Sequence, residues 1–187
     1  MNDIVILSGA RTAIGTFGGG LASVPPITLG AIAAKAAIDR AGVAADRIGH
    51  VVFGHVINTE PRDMYLSRVA AIEAGIPNGT PAMNVNRLCG SGAQAVVSAI
   101  QALMLGDADV ALAGGAESMS RSPHALTVAR FGQKMGDAKA VDMMTGALTC
   151  PFGTGHMGVT AENVAREHGV SREEQDAFSL RSHQRAV

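Results

Sequence analysis

A chain of 187 residues with 47% apolar content can bury one real core, with room for part of a second domain. Only 17% of its residues are charged, well under the roughly 25% of an average soluble chain, so part of its surface is expected to be covered by a partner subunit or by further chain. A net charge of −1, no Lys/Arg cluster, no Trp and a single Tyr exclude both the electrostatic footprint of a nucleic-acid binder and the aromatic platforms on which bases stack.

The first residues, "MNDIVILSGAR", carry an acid at Asp3 and only a four-residue apolar run, which reads as neither signal peptide nor membrane span. The run "DIVILSG" predicts a short buried strand. Thr28 is placed to cap the helix "LGAIAAKAAIDRAG", which Gly42 ends. "GHVVFGHVI" predicts a second strand, and "YLSRVAAIEAG" a helix closed by Gly75. "PAMNVN" predicts a third strand, followed by a helix that begins near Cys89, and "GDADVALAGG" a turn and a fourth strand. Strand and helix thus alternate to about residue 115, the pattern of a parallel α/β sheet with helices on its faces.

The helix after Cys89 carries Val96, Val97, Ile100, Leu103 and Met104, with alanines on its other faces. Only Gln94, Ser98 and Gln101 form a polar stripe, so this helix is expected to be buried on most sides. After Met119 the alternation stops, and a stretch rich in Gly, Met and polar residues follows. It reads as a partly helical excursion from the sheet, with a binding or interface role. "VTAENVAREHG" predicts a helix, and Ser171 to Glu174, "SREE", is a capping box that opens another. That last helix runs to Val187 with no stop signal, so the chain is read as part of a longer polypeptide.

Two cysteines without a secretory signal read as reduced cytoplasmic thiols, and no Cys/His spacing suits a metal. Cys89 stands where the first-turn amides of a helix would face its sulfur and favour the thiolate. Gly90 and Gly92 clear side chains around it, so an acyl group and its carrier can approach, and the Cys89 amide can donate to an oxyanion. A satisfied core cysteine fits the same position. On the residues alone, nucleophile and core cysteine both stand.

The ordered segments "ARTAIGTFGG", "NRLCGSG", "GGAESMS", "HMGVTAENVA" and "SREEQDAFSLRSHQRA" resemble the thiolase family over essentially the whole chain. "TEPRDMYLSRVAA" is similar to the bacterial biosynthetic β-ketothiolases, the acetyl-CoA acetyltransferases. The family is about twice this length. The resemblance implies a layered αβαβα fold of two similar halves, of which residues 1–118 supply the first and 119–187 begin the loop domain that covers the active site, the C-terminal half being absent. It makes Cys89 the acyl-accepting nucleophile and places His156 and Met157 in the substrate pocket beside the thioester and pantetheine. Without the family, a His-Met pair in a Gly-rich loop reads as loop filling. Cys150 matches no catalytic position and reads as structural.

The family's "GHP" histidine, its "NEAF" asparagine and its second, acid/base cysteine do not occur in these residues. The resemblance therefore implies an acyltransferase that forms or cleaves the carbon–carbon bond of a 3-ketoacyl-CoA through an acyl-cysteine intermediate, with the 187-residue chain inactive by itself. It implies coenzyme A thioester as substrate and no other cofactor. It also implies a homodimer or homotetramer, while the charge, the scarce aromatics and the N-terminal residues point to no nucleic-acid or membrane partner. Two rivals are a thiol hydrolase that pairs Cys89 with one of the six histidines, and a non-catalytic acyl-CoA-binding relative.

Overall fold

A three-stranded parallel sheet, in the order β2-β1-β3, organises the computed structural model, which describes residues 3–186. Its strands are β1 (His50–Gly54), β2 (Ala82–Val85) and β3 (Ala111–Gly115), each where the sequence predicts one. Alternation along β1 sends Val51 and Phe53 to one face and Val52 to the other.

Two helices cover the first face, α1 (Pro26–Ala41) and α2 (Leu66–Glu73), packed on each other. Ile27, Ala31, Ala34 and Ile38 of α1 recur at helical spacing and enter this core beside Leu66 and Ala70. Gly30 brings α1 close to Phe53, since a Cβ there would stand 3.3 Å from the ring. The start of α1 corrects the expected cap. Thr28 lies inside the first turn, because Pro26 at the first helical position, with its preset φ, begins the helix earlier. Gly42 ends it in the left-handed conformation, as expected.

The second face is covered by α3 (Ser91–Leu105), whose Ala95 and Ala99 pack on Val52. By length and composition the segment Leu88–Leu105 would also suit a membrane span, but its small-residue face is spent on the sheet. Val96, Val97, Met104 and Leu105 are exposed. The expectation of burial on most sides therefore fails within the described residues. Apolar composition predicts what a helix prefers, whereas burial requires an element opposite it.

The predicted strand at "DIVILSG" does not form. Residues 3–15 carry no regular structure, and Ile6 is 88% exposed. A strand exists only through its ladder, and this run joins neither edge of the sheet. It passes along the end of α1, where Arg40 Nη1 donates to Gly9 O at 2.9 Å and Ser8 Oγ donates to Ala37 O.

Beyond Met119 the excursion contains short antiparallel pairs that the sequence pattern did not predict: β4 (His124–Leu126) with β5 (Ala140–Asp142), and β6 (Thr149–Cys150) with β7 (Gly155–His156). Strands of two or three residues are too short to show a period of two. The helices α4 (Met143–Ala147), α5 (Met157–Glu167) and α6 (Arg172–Ala186) complete the described residues. Val187, to which the sequence extends the last helix, lies outside them. The capping box is formed in both directions, Ser171 N donating to Glu174 Oε2 at 2.8 Å and Glu174 N to Ser171 Oγ at 3.2 Å. The chain divides into two compact units, one up to Met144 and the other from Thr145.

Candidate active site

The carboxyl ends of β1, β2 and β3 meet at Gly54, Val85 and Gly115, the edge of a parallel sheet where α/β proteins place their ligands. The turn from β2 into α3 emerges at this edge and carries Cys89, which is exposed. It is thus not a core cysteine.

Three contacts build this turn. A Cβ on Gly54 would stand 2.6 Å from the Ser91 carbonyl carbon and 2.8 Å from the Gly92 nitrogen, so only glycine lets the start of α3 rest on the end of β1. The Ser91 hydroxyl accepts from Arg87 N at 2.9 Å and donates to Leu88 O. Asn86 Oδ1 accepts from Leu88 N at 2.9 Å. Between these clamps Leu88 adopts a φ of 47°, a left-handed conformation that a bulky residue keeps only when its surroundings impose it.

The helix begins just after Cys89, where the sequence places it: Ser91 is its first residue and Gly90 its N-cap, so Cys89 lies immediately before the cap. The Gly90 and Ser91 amides donate to Arg87 O and Leu88 O, which commits them to the turn and away from an oxyanion. A Cβ on Gly92 would meet nothing within 4 Å, so the space above the helix start is open, as the glycine pattern implies.

Beside this turn, and unforeseen in the sequence, lies an acid–histidine pair. Glu117, just after β3, accepts from Val56 N at 2.9 Å and from Ile57 N at 3.1 Å. His55, just after β1, places Nδ1 2.8 Å from Ala116 O and 3.5 Å from Glu117 Oε1. Its ring is buried, and Nε2 has no protein partner among the described residues. His55 lines a cleft of 260 Å³ with Asn58, Met64, Asn84 and Asn86. Nothing in the spacing of six histidines marked His55; Glu117, within "GGAESMS", had the one available signal. A larger cleft, 580 Å³, lies between residues 10–17 and the loop after β3. Cys89 does not line it, so size does not locate the nucleophile here.

His156 and Met157 stand together at the start of α5, in the second compact unit, whereas Cys89 belongs to the first. His156 is the N-cap of α5, its Nδ1 accepting from Gly158 N at 3.0 Å. That bond leaves the ring proton on Nε2 in the neutral form. Both residues are exposed. Cys150 pairs with Gly155 in the β6–β7 hairpin. The Thr154 hydroxyl, with the amides of Thr154 and Phe152, faces the sulfur and draws its pKa below that of an ordinary thiol. The described residues contain no cluster of His, Cys, Asp or Glu able to hold a metal.

Residues 4–187 match the family model of the thiolase N-terminal domain. The chain is 60% identical over 184 residues to β-ketothiolase BktB of Cupriavidus necator, covering 98% of this chain and 47% of that protein. It is 49% identical over 187 residues to an acetyl-CoA acetyltransferase of the same organism, covering 100% and 47%. It superposes on human mitochondrial 3-ketoacyl-CoA thiolase, solved in complex with CoA, at a TM-score of 0.92 and 39% identity, covering 96% of this chain and 46% of that one. The acetyl-CoA acetyltransferase of Bacillus anthracis superposes at 0.91 and 38%, covering 96% and 45%. The chain spans about half the length of the curated relatives it matches. With its parallel sheet, its "NRLCGSG" turn at the sheet's carboxyl edge and this match along nearly its whole length, the chain belongs to the thiolase family, whose N-terminal domain it contains.

Proposed function

We propose that this chain is the nucleophile-bearing half of a β-ketothiolase, an acetyl-CoA acyltransferase acting on 3-ketoacyl-CoA. The observation that carries the reading is Cys89, exposed on a clamped turn at the carboxyl edge of the sheet with open space above Gly92. In thiolysis the sulfur adds to the 3-keto carbon, and the bond between carbons 2 and 3 breaks. The departing acetyl-CoA enolate takes a proton, leaving an acyl group on Cys89. The thiol of a second CoA then adds to that acyl group and returns the cysteine. Condensation runs the steps in reverse, with a base removing the proton from acetyl-CoA.

Coenzyme A serves as substrate, and no other cofactor enters these steps. His156 and Met157 line the thioester pocket, with the Nε2–H of His156 as the donor its N-cap leaves free. Residues after 118 begin the covering domain. The exposed apolar face of α3 is the surface on which the C-terminal half packs, and that half brings the remaining acid/base groups. Low charge content supports a homodimer or homotetramer, and the cysteine usage a cytoplasmic protein.

Rapid quench of the complete protein with acetyl-CoA, followed by peptide mapping, tests the reading. An acetyl adduct on Cys89 is expected. An adduct on Cys150, or none, overturns it. Acylation followed by release to water instead of to CoA would favour the thiol hydrolase.

A further inference from the structure

The His55–Glu117 pair has a defined tautomer and an unspent atom. Ala116 O and the Glu117 carboxylate can only accept, so Nδ1 of His55 carries the proton it shares with them. In the neutral ring Nε2 is then an acceptor. That atom is buried, on a residue only 5% exposed, and no group among the described residues reaches it. Buried acceptors in folded proteins are almost always satisfied, by protein or by ordered water.

The cleft beside the ring restricts what can satisfy it. Among its polar residues, Asn84 is committed, its Oδ1 accepting from Ser67 N and its Nδ2 donating to Asp63 O and Met64 O. Asn86 uses only its Oδ1, on Leu88 N. Among the described residues its Nδ2 has no hydrogen-bond partner, and Asn86 lines the cleft together with His55 and Asn58. The 260 Å³ available exceeds the roughly 30 Å³ of one water several times over. The cleft is therefore polar and roomy enough for a bridging water.

We propose that His55 is a positioning residue for the nucleophile turn: its Nε2, through a water held in this cleft, anchors Asn86, which in turn fixes Leu88 in the conformation that presents Cys89. The chain of contacts runs from Glu117, held by the backbone after β1, through the imidazole to the residue before the clamp. It explains why Leu88 keeps a positive φ at an exposed turn. The inference rests on Cys89 being the nucleophile for its catalytic consequence, but not for its structural one.

Two substitutions in the complete protein separate the ring's two nitrogens. His55→Asn places an amide near the Nδ1 position and keeps the bond to Ala116 O, but nothing reaches the cleft. His55→Gln reaches the Nε2 position. Expected for His55→Asn is a loss in kcat of about tenfold with KM little changed, the signature of a displaced reacting group. His55→Gln should restore kcat to within about threefold of wild type on the same reasoning. Amide exchange of residues 86–90 should quicken about tenfold in His55→Asn only.

Equal losses in both variants, or exchange that does not change, would overturn the proposal in favour of simple packing. Should His55→Asn fail to fold, the ring-nitrogen NMR signals of the wild-type protein decide, and a proton on Nε2 with none on Nδ1 overturns it. If Cys89→Ala remains active while the exchange result holds, the nucleophile assignment fails and the anchoring role stands.

Discussion

The two cysteines stand on turns that differ in their support. The Cys89 turn has clamps of its own but is also held from outside: Gly54 of β1 lies against Ser91 and Gly92, and the turn leaves a strand that is one of three in a sheet. The Cys150 turn closes on itself, Thr149 and Cys150 pairing with His156 and Gly155. Every group that lowers the Cys150 thiol comes from the four residues that follow it. A few neighbours suffice to polarise a sulfur. Placing one at the carboxyl edge of a sheet, with open space above it, takes a fold.

The largest expected effect divides the two cysteines by function. In the complete protein Cys89→Ala should lower acetoacetyl-CoA thiolysis by more than about a thousandfold, the scale seen when a covalent nucleophile is lost, with an unchanged circular dichroism spectrum. Cys150→Ala should leave the rate within about twofold, since the acyl group is carried by Cys89 and a small substitution at a part-buried thiol removes little else. Thiolysis by Cys89→Ala within about tenfold of wild type would rule out covalent catalysis there.

The next effect breaks the external support. Gly54→Val drives a side chain into the backbone of Ser91 and Gly92, where contacts would fall to 2.6 Å. A cost of about 3 kcal/mol in urea unfolding is expected for overpacking of this kind, with activity lost alongside. The matching change in the hairpin is Gly155→Ala, at a φ of 89°. It meets no close neighbour but adopts a conformation that costs about 1–2 kcal/mol. A milder effect at Gly54 than at Gly155 would contradict the contrast between the turns.

The hairpin's own electrostatics give a pH prediction. With Cys89 replaced by alanine, iodoacetamide labelling reports Cys150 alone. Because its pKa is lowered, chiefly by the Thr154 hydroxyl, labelling should begin at lower pH than for an ordinary thiol. Thr154→Val removes that donor, so the thiolate is less favoured and the labelling midpoint should move up. A midpoint that does not move would remove the hydroxyl from the account. The smallest effect is Ser171→Ala, which deletes one arm of the capping box at α6 and should cost about 1 kcal/mol, read from thermal melting of the complete protein.

What the sequence determined by itself is local. The strands β1 to β3, the helices α1 to α3 and α5, the Gly42 terminus and the Ser171–Glu174 box were legible because periodicity, caps and glycine stops act over one or two turns. Cys89 was legible as a candidate because its glycine neighbours are adjacent in the chain. Tertiary structure decided the rest. The run Ile4 to Leu7 has strand composition but no ladder, since pairing depends on a partner distant in sequence. The apolar outer face of α3 stays exposed because nothing among the described residues lies opposite it. His55 and Glu117 come together only because β1 and β3 are neighbours in the sheet. Composition and periodicity along the chain report what each segment prefers, whereas pairing, burial and hydrogen-bond geometry depend on residues that only the folded chain brings within reach.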